Sequence, residues 1–384
     1  MAPDTPTRLL DGLTPAQFMQ RHWQRKPLLI RGAFERFRPP LTIAQVKRLA
    51  RRDDVESRLV WREAGQWQME RGPFSRLPPA REPEWSLLVQ GVNLHDDAAA
   101  ELMAQFRFVP DARLDDVMIS IATDRGGVGP HFDSYDVFLL QGSGRRRWRI
   151  GRQRDLDLDP DAPLKILRRF EPTEEFVLEA GDMLYLPPAY AHDGIAEGDD
   201  CMTISIGFRS PSLGELARGM LEFASESLSE RAPAALRGHY RDAGQPAVDR
   251  PAALPEDLVQ AALAAASAVK FDAQMAARYL GCWLTEPKPE VVFEPADPDT
   301  VPDLERNWPA TGALVLDRRT QMIYRDKMLF VNGEMAPVAA GGALRALADE
   351  RRLACGARGP ARLRDGERAA LQEWLEAGWL HYRP

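Results

Sequence analysis

His131 and Asp133 are separated by a single residue at the start of a strand predicted over 131–141. Side chains along a strand alternate between its two faces, so residues two apart point the same way. An imidazole and a carboxylate placed side by side on a stiff backbone supply two ligands for a metal ion. Alone, a His-x-Asp pair is more often a hydrogen-bonded surface pair, so the metal hypothesis requires a third ligand.

His192 is the predicted third ligand. It follows an apolar strand that starts after a Gly-Asp turn and stops at a double proline, so we expect a stiff bend to present the imidazole. Two imidazoles and one carboxylate on one face of iron(II) leave positions open for a 2-oxo acid and dioxygen. The chain has only 6 histidines. Two of them in these settings favour a catalytic metal site formed by His131, Asp133 and His192.

A neighbouring predicted strand alternates arginines with apolar residues. Arg146, Trp148 and Ile150 share one face, and the two apolar residues indicate that this face points inward. A buried guanidinium needs a carboxylate partner. The distal carboxylate of 2-oxoglutarate fits this need, held through paired hydrogen bonds. Ser120 and Thr203 lie on other predicted strands, where their hydroxyl groups could add hydrogen bonds to the co-substrate. The alternative, which is the more common case, is that each is an ordinary strand residue.

The elements that must position these residues are short strands. Strand signals follow one another between residues 116 and 208, separated by turns rich in Gly and Pro, including a predicted hairpin turn at 141–144. Many short strands favour a sandwich or barrel over alternating strands and helices. Upstream, Thr14 is predicted to cap a helix over 14–24, and 26–30 to form a short strand.

Two further regions follow this β-rich part. Ser212 is the predicted N-cap of a helix whose apolar residues recur at three- and four-residue steps, and an Ala-rich helical stretch comes next. Short strands then precede predicted helices near 343–352 and 366–376. The predicted domains are therefore 1–211, 212–290 and 291–384.

Composition limits the partners and the cellular location that the protein can have. A net charge of -7 argues against broad non-specific binding to nucleic acid, and no basic recognition helix stands out near the C-terminus. The 3 cysteines are widely spaced, which argues against a disulfide framework and suits a reducing cytosol. No apolar run reaches the roughly 18 residues that cross a bilayer, and the N-terminus lacks a signal-peptide core. A cytoplasmic protein without membrane association is expected.

The segments 131–138 and 141–148 together resemble the JmjC-type ribosomal oxygenases, and most of all the bacterial ribosomal protein arginine hydroxylases. Segments 26–31 and 206–209 carry the same resemblance. It implies a mainly β catalytic domain, a double-stranded β-helix of the cupin and JmjC type. It also implies an α-helical dimerisation region and a small winged-helix-like α+β domain after it.

The resemblance further implies an oxidoreductase, a dioxygenase that uses Fe(II) and 2-oxoglutarate. Iron would be held by the predicted triad and 2-oxoglutarate by Arg146, with Ser120 as a helper. The expected reaction hydroxylates the β-carbon of an arginine in a large-subunit ribosomal protein, the sixteenth by the usual numbering. Expected partners are that protein, dioxygen and a second copy of the chain.

An arginine substrate needs a nearby acid. Asp124, Asp136 and Glu197 lie close to the metal-binding segments in sequence. Asp124 is the predicted substrate-binding residue because it precedes the Gly-rich stretch beside His131. A solvated loop acid is the alternative for this position.

Other functions remain open from the sequence. The same chemistry could serve a histidine hydroxylase or a demethylase of methylated lysine. A non-catalytic cupin-like binding module is a different class, and the intact ligand set and Arg146 argue against it. A metal-dependent sugar isomerase of the cupin group would need no 2-oxoglutarate.

Overall fold

The computed structural model describes residues 2–231, 236–297, 301–356 and 363–384. The chain forms two compact units. The first comprises Met1–Ser210, Lys288–Glu294 and Asp317–Arg319, and the second comprises Pro211–Pro287, Pro295–Leu316 and Thr320–Pro384. Among the described residues, no helix combines the length and the apolar character that a membrane span requires. The predicted division into three domains stays a prediction.

The first unit is built on an antiparallel sheet. Its strands are β1 (Leu28–Ile30), β2 (Ser57–Glu63), β3 (Gln66–Arg71), β4 (Trp85–Val89), β5 (Leu114–Ala122), β6 (Val137–Gly151), β7 (Glu174–Glu179), β8 (Met183–Leu186) and β9 (Ala191–Phe208). Their order is β1-β8-β6-β9-β5-β4-β2-β3, and β7 also pairs with β6. The long neighbours β6 and β9 carry three of the predicted site residues, Arg146, His192 and Thr203. The helices of this unit are α1 (Pro15–Arg21), α2 (Ile43–Leu49) and α3 (Asp97–Ala104).

The predicted start of α1 is confirmed. The Thr14 side chain accepts from the backbone N–H of Gln17, and the Gln17 side chain accepts from that of Thr14, so both ends of this capping box are satisfied. The helix ends at Arg21, earlier than predicted. The chain leaves the helix because Gln24 adopts a left-handed conformation with φ of 55° and its N–H donates to the hydroxyl of Tyr185.

The predicted hairpin turn at 141–144 is wrong. These residues lie inside β6, which continues from Val137 to Gly151. The register between β6 and β9 shifts on both sides of Ser143, and Gly144 has a φ of 60°. The glycines therefore permit a bulge that bends one long strand rather than a reversal of the chain. Ser143 secures the bend, since its hydroxyl donates to the carbonyl of Asp200 at 2.7 Å.

An aromatic core fixes α1 against the sheet. The rings of Phe18 and Tyr185 are 4.9 Å apart, and those of Trp23 and Phe208 are 5.0 Å apart, both with edge-to-face geometry. Phe138 packs 5.4 Å from Phe18 and is fully buried. The core thus lies on one side of the strands that carry the chemistry, leaving their other side for a cavity.

The second unit combines helices with two small sheets. Its helices are α4 (Leu213–Arg231), α5 (Glu256–Ser267), α6 (Ala273–Thr285), α7 (Gly342–Glu350) and α8 (Asp365–Glu376). Its strands are β10 (Ala313–Leu316), β11 (Met322–Arg325), β12 (Met328–Val331), β13 (Glu334–Met335), β14 (Arg352–Ala354) and β15 (Leu380–Arg383). Ser212 caps α4 as predicted, because its hydroxyl accepts from the N–H of Glu215 at 3.1 Å. The two predicted C-terminal helices correspond to α7 and α8.

Asp136 joins the metal-binding segment to this core. Its carboxylate is fully buried and accepts hydrogen bonds from the Tyr185 hydroxyl at 2.6 Å and the Gln24 amide at 3.0 Å. The Arg113 guanidinium lies 3.6 Å away. Burial raises the pKa of Asp136, while the two hydrogen bonds and Arg113 act in the opposite direction. Asp136 therefore anchors the start of β6 rather than facing substrate.

Asp136→Ala is expected to lower the free energy of unfolding by about 2–4 kcal/mol, because it removes a buried acceptor from two donors and one cation. Tyr185→Phe, which removes one donor, should cost about 1 kcal/mol. Urea unfolding followed by circular dichroism measures both. Equal stabilities of the wild type and Asp136→Ala would contradict an anchoring role.

Candidate active site

His131, Asp133 and His192 come together at one end of the β6 and β9 pair. One ligand atom from each residue lies within 4.8 Å of the others, and no other such group of three occurs among the described residues. The His192 Nε2 atom is 3.6 Å from a carboxylate oxygen of Asp133, and the two imidazole rings are 4.2 Å apart. Three donors at these separations can bind one metal ion on one face.

Reciprocal backbone hydrogen bonds hold the two histidines opposite each other. The His131 N–H donates to the His192 carbonyl at 2.9 Å, and the His192 N–H donates to the His131 carbonyl at 2.8 Å. His192 is therefore part of β9, instead of lying on the bend that the double proline was expected to form. In such a directly bonded pair, both side chains leave the sheet on the same face.

A hydrogen bond from the ring to a backbone carbonyl also fixes each imidazole. The Nδ1 atom of His131 lies 2.9 Å from the Gly129 carbonyl, and the Nδ1 atom of His192 lies 2.9 Å from the Tyr190 carbonyl. A carbonyl only accepts, so Nδ1 carries the proton and Nε2 keeps its lone pair for a metal. Burial, followed by the neighbouring His131, lowers the pKa of His192 to about 4. His192 is thus neutral at physiological pH, as a metal ligand must be.

The three residues open into a cavity of about 510 Å³ in the first unit. Alternate residues of β2 to β6 and β9 form its walls, and 163–165 and Lys288 also contribute. The cavity is wide enough for a small ligand together with a side chain from a second molecule.

Arg146 reaches this cavity from β6 and is buried, with an exposed fraction of 4%. One guanidinium nitrogen, Nη1, donates to the Gly194 carbonyl at 3.2 Å. The Nε and Nη2 atoms are buried without a hydrogen-bond partner in the described part of the chain. A buried cation with free donors fits a ligand carboxylate.

The neighbouring arginines of β6 face the other way. Arg145 and Arg147 both pair with Glu197, and Arg149 lies 2.5 Å from Asp193. The expected alternation along this strand is therefore observed. Glu197 is engaged in cross-strand ion pairs with Arg145 and Arg147, and their hydrogen bonds lower the pKa of Glu197.

Ser120 and Thr203 face each other across β5 and β9 and line the cavity. Both are buried, with exposed fractions of 8% and 2%. The Thr203 hydroxyl donates to the side chain of Gln141 at 3.1 Å. Thr203 is thus already bonded within the protein.

Asp124 does not reach the cavity. Its side chain is half exposed, and its carboxylate accepts from the Gly198 N–H at 2.7 Å. Asp136 and Glu197, the other acids considered from the sequence, also do not line it. The structure instead brings Glu56, Asp115 and Asp116 to the cavity wall.

Asp116 is the most deeply placed of these acids. Its carboxylate accepts from the Gly91 N–H at 3.0 Å and has no ion-pair partner among the described residues, whereas Asp115 lies 3.4 Å from Lys288. Burial raises the pKa of Asp116, and Lys288 opposes this shift. The sequence contained a signal: Asp116 lies four residues before Ser120, on the same face of β5. A register shift between Leu114 and Val117 places Asp115 on this wall too.

Known protein families match parts of both units. A model of the JmjC domain matches residues 101–216, and a model of the ROXA-like winged helix matches residues 268–381. The structure of YcfD, a ribosomal oxygenase from Escherichia coli, superimposes with a TM-score of 0.79 and 31% sequence identity, covering 97% of this chain and 98% of that chain. The chain belongs to the JmjC-type ribosomal oxygenases.

Other members of the family agree with this assignment. The ribosomal protein uL16 3-hydroxylase of Escherichia coli is 43% identical over 209 residues, which are 54% of this chain and 55% of that protein. A probable ribosomal oxygenase of Haemophilus influenzae is 37% identical over 218 residues, which are 55% of this chain and 54% of that protein. The chain thus spans about half the length of the curated relatives it matches. The predicted family and fold class, a JmjC β domain followed by helices and a winged helix, are confirmed.

YcfD in complex with cobalt and 2-oxoglutarate has also been solved. It matches with a TM-score of 0.80 and 30% identity, covering 96% of this chain and 98% of that chain. A ribosomal oxygenase of the same fold therefore binds a divalent metal and 2-oxoglutarate.

Proposed function

We propose that this ribosomal oxygenase is an Fe(II)- and 2-oxoglutarate-dependent dioxygenase that hydroxylates the β-carbon of an arginine in a large-subunit ribosomal protein, the sixteenth by the usual numbering. The observation that carries the proposal is the set of His131, Asp133 and His192, with both Nε2 atoms free. The 3-hydroxylase relative and the cobalt complex of YcfD support the same reaction class.

The donor set fits iron(II). Two neutral imidazoles and one carboxylate are the ligands that non-haem iron oxygenases use, and they leave positions open for other ligands. When bound, the metal and 2-oxoglutarate supply the oxidising chemistry: dioxygen is consumed, the co-substrate is decarboxylated to succinate, and one oxygen atom enters a C–H bond. The protein's part is to bind and orient the reacting molecules.

Arg146 is proposed to hold the distal carboxylate of 2-oxoglutarate. Its two unpartnered nitrogens point to a ligand that accepts hydrogen bonds, and a carboxylate also balances its charge. Ser120 is proposed to add a hydroxyl donor, because it is buried on the cavity wall. Thr203 is proposed to help indirectly, since its hydroxyl holds Gln141.

Asp116 is proposed to receive the guanidinium of the substrate arginine. A half-buried carboxylate that forms no ion pair among the described residues is stabilised by a cationic ligand, which favours its charged form. Tyr135 and Met118 lie on the same cavity wall, where they can enclose the aliphatic part of the side chain. This placement favours Asp116 over Asp124 as the substrate-binding acid.

The alternatives differ in their products. Lysine demethylation removes a methylene from the substrate, whereas hydroxylation adds an oxygen atom. A sugar isomerase of the cupin group would leave Arg146 without a carboxylate. A non-catalytic module would not be expected to keep three ligands and a buried arginine.

The full chain with iron(II), 2-oxoglutarate and peptides from ribosomal proteins is expected to form succinate together with a peptide that is heavier by one oxygen atom on an arginine. Asp133→Ala should lose at least about a hundredfold in turnover and in cobalt binding, because one of three ligands is missing. Mass spectrometry and calorimetric titration measure these effects. Succinate without a modified peptide would remove the substrate from the proposal, and full activity of Asp133→Ala would remove the metal site.

Asp116→Asn is expected to raise KM for the substrate peptide about ten- to a hundredfold, since a hydrogen bond to a charged group contributes about 1.5–3 kcal/mol. The KM for 2-oxoglutarate should not change. Asp124→Asn is the matched control, with unchanged peptide KM, because its carboxylate is half exposed and bonded to Gly198. The reverse result would assign the substrate arginine to Asp124.

The helices of the second unit are proposed to form a homodimer. Large apolar side chains of α4 and α5 are exposed, among them Leu213 at 84%, Leu221 at 60% and Leu263 at 56%. Several large apolar side chains exposed on two helices are typical of a protein interface. Light scattering of the full chain should give the mass of a dimer, and Leu221→Glu should shift it towards the monomer. A wild-type monomer at micromolar concentration would exclude the dimer.

A further inference from the structure

In the described part of the chain, three hydrogen-bond donors on the inward face of β6 have no partner. Two are the Nε and Nη2 atoms of Arg146, and the third is the indole Nε1 atom of Trp148. Both side chains are almost fully buried, with exposed fractions of 4% and 5%. Buried donors are rarely left without an acceptor in folded proteins. Three of them at two consecutive inward positions point to a ligand that accepts hydrogen bonds.

Trp148 lies between the predicted carboxylate anchor and the metal-binding triad. The Arg146 guanidinium carbon is 5.8 Å from the centre of the indole ring, and the ring of His192 is 5.9 Å from it. All three side chains line the same cavity. A 2-oxo diacid that reaches from Arg146 to the triad must therefore pass along the indole.

Gly194 fixes the position of this indole. It is directly opposite Trp148 in the pairing of β6 with β9. A Cβ atom on Gly194 would lie 2.6 Å from the ring carbons of Trp148, which is too close for any side chain. The carbonyl of Gly194 also accepts from Arg146. The same glycine thus lets the indole rest on the backbone of β9 and holds the guanidinium beside it.

We propose that Trp148 is a positioning residue for the co-substrate, whose Nε1–H donates to the distal carboxylate that Arg146 binds. A carboxylate offers about four acceptor sites, so one group can satisfy all three donors. The indole face covers the methylene carbons of the same molecule and excludes water from them. This inference rests on the proposed function, and it extends the co-substrate site to a residue that binds no metal and carries no charge.

Selectivity for a dicarboxylic 2-oxo acid follows. A 2-oxo acid without a distal carboxylate would leave the three donors buried and unpaired, and a site built to form hydrogen bonds discriminates strongly against such an analogue. A monocarboxylic 2-oxo acid can still chelate a metal, but it does not use Arg146 or Trp148.

The test is the binding of 2-oxoglutarate to the full chain loaded with iron(II), in the absence of dioxygen. The visible charge-transfer absorption of the iron(II) chelate reports binding without turnover. Trp148→Phe keeps an aromatic ring and removes only the N–H group and one ring. Its Kd for 2-oxoglutarate is expected to rise about tenfold, which corresponds to about 1.4 kcal/mol. Its affinity for cobalt, measured by calorimetry, should stay within about twofold of the wild-type value, because the tenfold effect of about 1.4 kcal/mol is expected for 2-oxoglutarate alone.

Trp85→Phe is the matched control. Trp85 is also buried, but its Nε1 atom donates to the Pro79 carbonyl at 3.3 Å and it does not line the cavity. Its Kd for 2-oxoglutarate should equal that of the wild type. Gly194→Ala is a second variant that keeps the N–H group and displaces the indole, so its Kd should also rise. It carries the test alone if Trp148→Phe does not fold.

Each outcome separates the two claims. An unchanged Kd in the variant that folds would overturn the role of Trp148 and leave the proposed function intact. A parallel loss of cobalt affinity would assign Trp148 to the packing of the metal site and overturn its role towards the carboxylate. A wild-type protein that binds iron(II) but never shows the chelate absorption with 2-oxoglutarate would overturn both.

Discussion

The pair of backbone hydrogen bonds between His131 and His192 is the constraint on which the site depends. These bonds set the distance between two segments that are far apart in the sequence and aim both imidazoles at one point. The Nδ1 contacts to Gly129 and Tyr190 then fix each ring. Because main-chain groups do this work, the ligand geometry does not depend on flexible side chains. Asp133 needs only to follow His131 by two residues to join them.

Without a ligand, the groups that line the cavity next to this pair lower the stability of the fold. Buried donors on Arg146 and Trp148 lack partners in the described part of the chain, and Asp116 is a half-buried acid whose pKa is raised by its surroundings. Each of these features costs free energy unless a ligand compensates it. They are complementary to one diacid and one cation. A folded state that keeps such groups is organised around molecules that it binds, and the aromatic core on the other side of the sheet offsets the cost.

Much of this site follows from local patterns. Alternation along a strand turned Arg146 inward, and capping residues set the starts of α1 and α4. The strand predicted over 131–141 begins only at Val137, so a bridge to His192 rather than strand alternation positions His131. The sequence failed where long-range pairing decides the outcome. Glycines at 142 and 144 looked like a turn, but the neighbouring strand β9 holds them in a bulge. Asp116 was missed although it shares a face of β5 with Ser120, because the long-range pairing of β4 with β5 makes that face a cavity wall. Asp124 was chosen for its nearness in sequence instead.

The prior fixation of both imidazoles has a consequence for metal identity. A ligand set that needs no rearrangement accepts any divalent ion of suitable size, and affinities then follow the general order of the first transition series. In that order copper, nickel and cobalt bind more tightly than iron(II). Affinity alone therefore does not select iron(II), and the metals available to the cell at the time of loading contribute to the choice beside geometry and ligand type.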